Sequence, residues 1–127
     1  MATIPYRTEQ LAAVGKELIL VGPVPTPRWD VASEVSRSIA FNRPLARDLA
    51  VSQEDFLARH AMVVNPMQAR LGARFVRPHE AICDGAQCHW VLDGRAIFAD
   101  ANHVAEAELS RFAPYFTEAL AAPTEAQ

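Results

Sequence analysis

Hydrophobic residues change their spacing several times along this chain, and each change marks an element. Leu11 and Val14 lie at helical spacing behind Thr8, a capping residue, and Gly15 ends the run. Leu18, Ile19, Leu20 and Val21 then follow without interruption. A short continuous apolar run bounded by glycine predicts a strand buried on both faces, as in a parallel sheet. That strand leads into Gly22-Pro23-Val24-Pro25-Thr26-Pro27, where closely spaced prolines forbid helix and sheet interior and predict a rigid loop. Loops at the carboxyl ends of strands line the ligand crevice in open α/β sheets, although a plain surface connection is the simpler reading here.

Between residues 30 and 50 the pattern is mixed. Asp30 and Ser33 can each cap a helix near Val35 and Ile39, and Pro44 interrupts it, which predicts short helical pieces and loop. Ser52-Gln53-Glu54-Asp55 has the acids of a helical first turn, and Phe56, His60, Val63, Val64, Met67 and Leu71 recur at helical spacing up to Gly72. Pro66 inside that run predicts a kink or break near Asn65. Residues 74–76 read as a second short parallel strand, and residues 83–88 as a tight loop. Residues 89–92 and 95–99 are paired strands around Asp93-Gly94, a two-residue hairpin turn. Val104, Leu109, Phe112, Phe116 and Leu120 then form one face of a final helix kinked at Pro114, and residues 121–127 are expected to fray.

Composition sets bounds on this picture. The 127 residues fit one domain, 1–127, since domains commonly run to about 100–150 residues. With 50% hydrophobic and 21% charged residues, the chain can bury a core without relying on disulfides. Its 12 Lys and Arg against 15 Asp and Glu give a net charge of -3 with no basic cluster, so no nucleic acid is expected as a partner. The longest apolar stretch, residues 18–24, is far short of the roughly 20 residues that span a bilayer. Residues 1–10 show no signal-peptide pattern, so the chain standing alone is expected in the cytoplasm.

Asp100 and His103 carry the strongest chemical signal. Three residues apart in a turn, a carboxylate can accept the imidazole Nδ1–H, fix the tautomer and leave Nε2 free as a base. On spacing alone the plainer reading is that Asp100 or Asn102 caps the last helix beside a surface histidine.

Context shifts that balance. Taken in order, Val21-Gly22-Pro23-Val24-Pro25, Cys83-Asp84-Gly85-Ala86-Gln87-Cys88, Asp93-Gly94-Arg95 and Phe98-Ala99-Asp100-Ala101-Asn102-His103 resemble one family. They look like the C-terminal part of the SGNH-type (GDSL-like) domain fused to membrane O-acyltransferases of acyltransferase family three. In such domains a strand ends in a Gly-Pro-x-Pro loop, a cysteine-flanked loop precedes an Asp-Gly hairpin, and Asp-x-x-His supplies two members of a catalytic triad. The resemblance covers residues 11–116 and implies an α/β, three-layer, SGNH-hydrolase-like (flavodoxin-like) fold with a short parallel sheet and a C-terminal hairpin. It also implies acyl transfer or ester hydrolysis on cell-surface carbohydrate, a periplasmic location, and a membrane acyltransferase domain as partner.

The departures are as informative. The family's nucleophilic serine sits in Gly-Asp-Ser near the start of its domain, upstream of everything matched here. Ser33, Ser36, Ser38, Ser52 and Ser110 do not follow Gly-Asp, and there is no Gly-x-Ser-x-Gly elbow. After the histidine the family continues Leu-Ser with a nearby glycine, where this chain has Val104-Ala105-Glu106. Asp100 and His103 therefore carry over as catalytic candidates, while the nucleophile and oxyanion hole do not. The expectation is a C-terminal portion of such a domain, inactive alone, with an upstream half-domain supplying the serine. A non-catalytic carbohydrate- or subunit-binding relative is the second reading, and an unrelated small α/β protein the third. Loss of the family's first strand leaves an exposed sheet edge, which invites homo-oligomerisation.

Cys83 and Cys88 bracket a four-residue loop containing Gly85, so a local disulfide is sterically reasonable and would point to an oxidising compartment, in agreement with the family. A zinc site from His79, Cys83, Cys88 and His89 fits poorly, because His89 directly follows Cys88. Two buried thiols remain a third reading. No cofactor or metal is expected. His60 reads as a core or boundary histidine, and Trp29 and Trp90 as packing rather than sugar-stacking residues.

Overall fold

The computed structural model describes residues 3–45 and 48–121, so the expected fraying of the tail beyond residue 121 lies outside the described residues. Helix α1 spans Thr3–Ala13, starting before Thr8, which lies inside the helix rather than at its cap. Pro5 is its third residue, where a missing N–H costs no intrahelical bond. Gly15, at φ 76°, ends the segment as expected.

The apolar run at residues 18–21 contributes only a two-residue strand, β1 (Leu20–Val21). It pairs in parallel with β3 (Phe75–Val76), Leu20 opposite Phe75 and Val21 opposite Val76. Among the described residues β3 is its sole strand partner, so β1 is an edge and Val21 is 55% exposed, not buried on both faces. Gly22 continues the pairing through an N–H to the Val76 carbonyl at 2.8 Å. A Cβ at Gly22 would stand 2.9 Å from the tip of the Phe75 ring, so any side chain there would force that buried ring to shift.

The proline loop that follows is packed rather than superficial. Pro25 and Pro27 are buried, and the Trp90 indole Nε1–H donates to the Pro25 carbonyl at 2.9 Å. Trp29 meets Trp90 edge to face, with centroids 6.4 Å apart, so both tryptophans serve packing as expected. Asp30 then caps α2 (Val31–Ala40), its Oδ1 accepting the Ser33 N–H at 2.9 Å. The expected helical fragments are thus one helix, with Asp30 rather than Ser33 as the cap.

Strand β2 (Ala50–Ser52) has no counterpart in the apolar pattern. It pairs antiparallel with β4 (Gln87–His89). Ser52 also caps α3 (Gln53–Leu71), which runs through Pro66 without the expected break. Trp90 divides the strand expected at residues 89–92: β4 lies before it, and β5 (Val91–Leu92) follows to pair with β6 (Arg95–Ala96). Asp93 and Gly94 both take positive φ, 54° and 73°, as a type I′ hairpin demands.

The final helix, α4 (Leu109–Ala121), starts later than expected, after a 3-10 turn at Glu106–Glu108, and it runs through Pro114. Val104 instead bridges Phe98. The buried face of α4 is Phe112 and Ala119 with Phe116 partly buried, whereas Leu109 and Leu120 are exposed. Glu108 is buried, and its carboxylate receives Arg95 from β6 and Arg111 from α4, which hold it below the usual glutamate range, Arg95 foremost. The pair ties the hairpin to α4. The core itself comprises Val31, Ile82, Trp90, Ile97, Phe98 and Phe112.

Replacing the indole of Trp90 while keeping an aromatic ring tests this arrangement. Trp90→Phe leaves the Pro25 carbonyl without its donor and should cost about 1–3 kcal/mol in denaturant unfolding; a loss under about 0.5 kcal/mol would contradict it.

Candidate functional site

The buried pair Ile97 and Phe98 ends the hairpin's return and delivers the chain to Asp100 at the surface. Ala99 N–H donates to the His103 carbonyl at 2.8 Å, and the Phe98–Val104 bridge closes the loop beneath it. Inside this closed loop Asp100 Oδ1 accepts the N–H of Asn102 at 2.9 Å and of His103 at 2.7 Å. These two backbone donors, followed by the imidazole, hold the Asp100 carboxyl below the usual aspartate range. Across the loop, Arg28 N–H reaches the Ala101 carbonyl at 3.3 Å, which ties the proline loop to the same turn.

Asp100 Oδ2 lies 2.9 Å from His103 Nδ1. An ionised carboxylate only accepts, so Nδ1 carries the hydrogen and neutral His103 keeps its lone pair on Nε2. The His103 side chain is 76% exposed, leaving Nε2 open to an incoming group. Asp100 does cap, but it caps the turn containing His103 rather than the last helix. One carboxylate thus serves both the turn's backbone N–H groups and the imidazole Nδ1.

Cys83 and Cys88 form a disulfide across facing residues of a β-bridge. Their sulfurs are bonded to each other and are not thiolates, which removes the zinc set of His79, Cys83, Cys88 and His89 and the two-thiol reading alike. The loop they close is clasped to the start of α3: Gly85 N–H donates to Gln53 Oε1 at 2.7 Å, and Gln53 N–H to the Ala86 carbonyl at 3.0 Å.

That loop holds a second acid–histidine pair absent from the sequence reading. Asp84 Oδ1 accepts the N–H groups of Gln87 and Ala86, and Oδ2 meets His89 Nε2 at 2.9 Å. Those contacts, Gln87 foremost, put the Asp84 carboxyl far below the usual range. The two pairs differ in what they leave free. His89 commits Nε2 to the carboxylate and retains Nδ1, the nitrogen nearer its own backbone, while His103 commits Nδ1 and presents the outer Nε2. His103 is also the more exposed of the two, its side chain 76% exposed against 25% for His89. An Asp followed by Gly inside a closed Cys loop is a turn signal that could have flagged Asp84, but nothing in the spacing pointed to His89 as its partner.

The serines are occupied elsewhere or unconnected to the pair. Ser52 Oγ accepts the Asp55 N–H at the start of α3, and Ser38 Oγ donates to the Arg43 carbonyl. Among the described residues, none hydrogen-bonds to His103. His60 lies against Phe56 with ring centroids 4.9 Å apart, a boundary position as expected. No group of three metal-ligating side chains converges among the described residues, and no helix there is long and apolar enough to cross a membrane.

The Asp100 geometry has a direct titration signature. Its carboxyl 13C resonance should titrate with a midpoint below 3.8, and the stability it contributes should be complete above that pH and lost as pH falls through its folded value. A midpoint at or above 3.8 would contradict the turn.

Comparison with known proteins follows the same lines. A search of curated proteins and one of solved structures each returned no match. The family model for the SGNH domain (fused to AT3 domains) matches residues 7–118. Among the described residues, the mixture of α-helices with short parallel and antiparallel sheets is consistent with the α/β arrangement of this family. Matched over well more than half its length, with Asp-x-x-His folded into a hydrogen-bonded pair, the chain belongs to the SGNH domain family.

Proposed function

We propose that this chain, residues 1–127, acts as the C-terminal part of an SGNH-like domain and supplies the acid and base of an acyl-transfer or ester-hydrolysis site. The observation that carries the reading is the 2.9 Å contact between Asp100 Oδ2 and His103 Nδ1, which leaves Nε2 exposed. Family membership supplies the class of reaction. The nucleophilic serine comes from an upstream segment or partner, because no serine of this chain follows Gly-Asp and none bonds to His103 among the described residues.

In this mechanism His103 Nε2 takes the proton from the serine hydroxyl as the serine oxygen attacks the acyl carbonyl. Collapse of the tetrahedral intermediate breaks the bond to the donor's leaving group, which departs with the proton from His103. A sugar hydroxyl or water then gives its proton to Nε2 and attacks the acyl-serine, and the proton returns to the serine as it leaves. Asp100 holds the imidazole in one tautomer and stabilises its cationic form throughout. Cell-surface carbohydrate is the proposed acceptor, and a membrane acyltransferase domain the proposed partner. The Cys83–Cys88 disulfide supports a periplasmic location, since such bonds persist in oxidising compartments. The exposed outer edge of β1 at Val21 supports pairing with a further strand, from that upstream segment or from a second copy.

The absent nucleophile also favours a second reading, a non-catalytic module that binds carbohydrate or another subunit. Cells carrying His103→Ala separate the two. Under the catalytic reading, NMR of their surface polysaccharide should show O-acyl groups lost to the same extent as in a deletion strain; unchanged acylation would leave the binding module. Purified alone, the chain should hydrolyse p-nitrophenyl acetate no faster than His103→Ala, and a clear His103-dependent rate would mean a nucleophile lies within it.

A further inference from the structure

We propose that the cavity between α3 and the Gly22-Pro23 turn binds a small neutral molecule with a short apolar body and one hydrogen-bonding oxygen, seated against His79. The cavity measures about 480 Å³, within the range of ligand sites of about 300–1,000 Å³. Phe56, Leu57, Val64 and Phe75 supply its apolar walls, and Asn65 and Gln68 of α3 supply amides.

His79 is the residue that calls for a ligand. It lines the cavity, is 4% exposed, and its Nε2 has no hydrogen-bond partner among the described residues. A buried imidazole nitrogen without a partner costs about 1–3 kcal/mol, so native structures rarely leave one unmatched. The ring is fixed in place by Phe56, with centroids 5.3 Å apart. A hydroxyl or carbonyl oxygen entering the cavity would complete it, as acceptor or donor according to which nitrogen carries the hydrogen.

The charge around the site selects a neutral ligand. Burial, the larger effect, and then Arg77 hold His79 toward its uncharged form, against the opposing pull of Glu80. Arg77 itself is paired with Glu80 at 3.2 Å. An anion here would lose its hydration and meet in Arg77, which also lines the cavity, a guanidinium already neutralised by Glu80, although its Nε lacks an aligned hydrogen-bond partner among the described residues. This site stands independently of acyl transfer, because neither Asp100 nor His103 lines it.

Hexan-1-ol has the required shape and can give or take the hydrogen bond. Titrated into the full-length chain with 15N-labelled imidazoles, it should shift the His79 ring nitrogens saturably, and hexanoate should bind about tenfold more weakly. His79→Phe, which keeps the aromatic bulk, should weaken hexan-1-ol binding about fivefold, the scale of one net hydrogen bond. Val64→Trp, on the half-exposed wall, should abolish binding and leaves the test intact if His79→Phe does not fold. Linear, non-saturating shifts would overturn the proposal, as would hexanoate binding as tightly as hexan-1-ol or unaltered binding by either folded variant.

Discussion

The arrangement depends on where Trp90 puts its polar groups. Its indole N–H reaches the Pro25 carbonyl, its backbone N–H the Leu49 carbonyl, and its own carbonyl accepts from Ile97. One buried residue thus joins the proline loop, the segment entering β2, and the return of the C-terminal hairpin. A proline-rich loop cannot secure itself with backbone N–H groups, since its prolines have none. The tryptophan supplies a donor from outside. With that loop held, Arg28 can meet the Ala101 carbonyl, and the turn bearing Asp100 and His103 is supported from two directions.

Much of this was legible where local chemistry decides the conformation. Asp93-Gly94 reads as a hairpin because both positions require positive φ, and the turn is there. Asp30 and Ser33 read as alternative caps because short oxygen-bearing side chains compete for unpaired helical N–H groups, and Asp30 binds one; residues 52–55 read as a helix start, which Ser52 caps. The Asp100–His103 contact is local too, but spacing alone favoured a helix cap, and the family resemblance carried the pairing. Phe56, Val64 and Leu71 fell on one helix because their spacing is periodic over about four turns, and the helix runs on through Pro66, where a kink or break was expected.

What escaped depends on contacts between distant residues. Leu18 to Val21 has the composition of a core strand, yet among the described residues only β3 pairs with it, and no local pattern reports how many strands will flank a run. Glu108 is buried because Arg95 and Arg111 converge on it, a relation invisible at separations of thirteen and three residues. Trp90 looked like one residue of a strand and instead ends one pairing and begins another. Asp84 and His89 were read apart, one in a turn and one at the start of a strand, whereas the structure brings them together beside the disulfide.

The central claim is that Asp100 and His103 are the acid–base half of an acyl-transfer site whose serine lies on another segment. A fluorophosphonate probe, which bonds only to activated serines, tests it most directly when its adducts are mapped by peptide mass spectrometry. Ser33, Ser36, Ser38, Ser52 and Ser110 should remain unlabelled in the purified chain. In cell extracts, labelling of a Gly-Asp-Ser serine elsewhere should disappear with His103→Ala. A His103-dependent adduct on any of the five serines within this chain would contradict that division of the site.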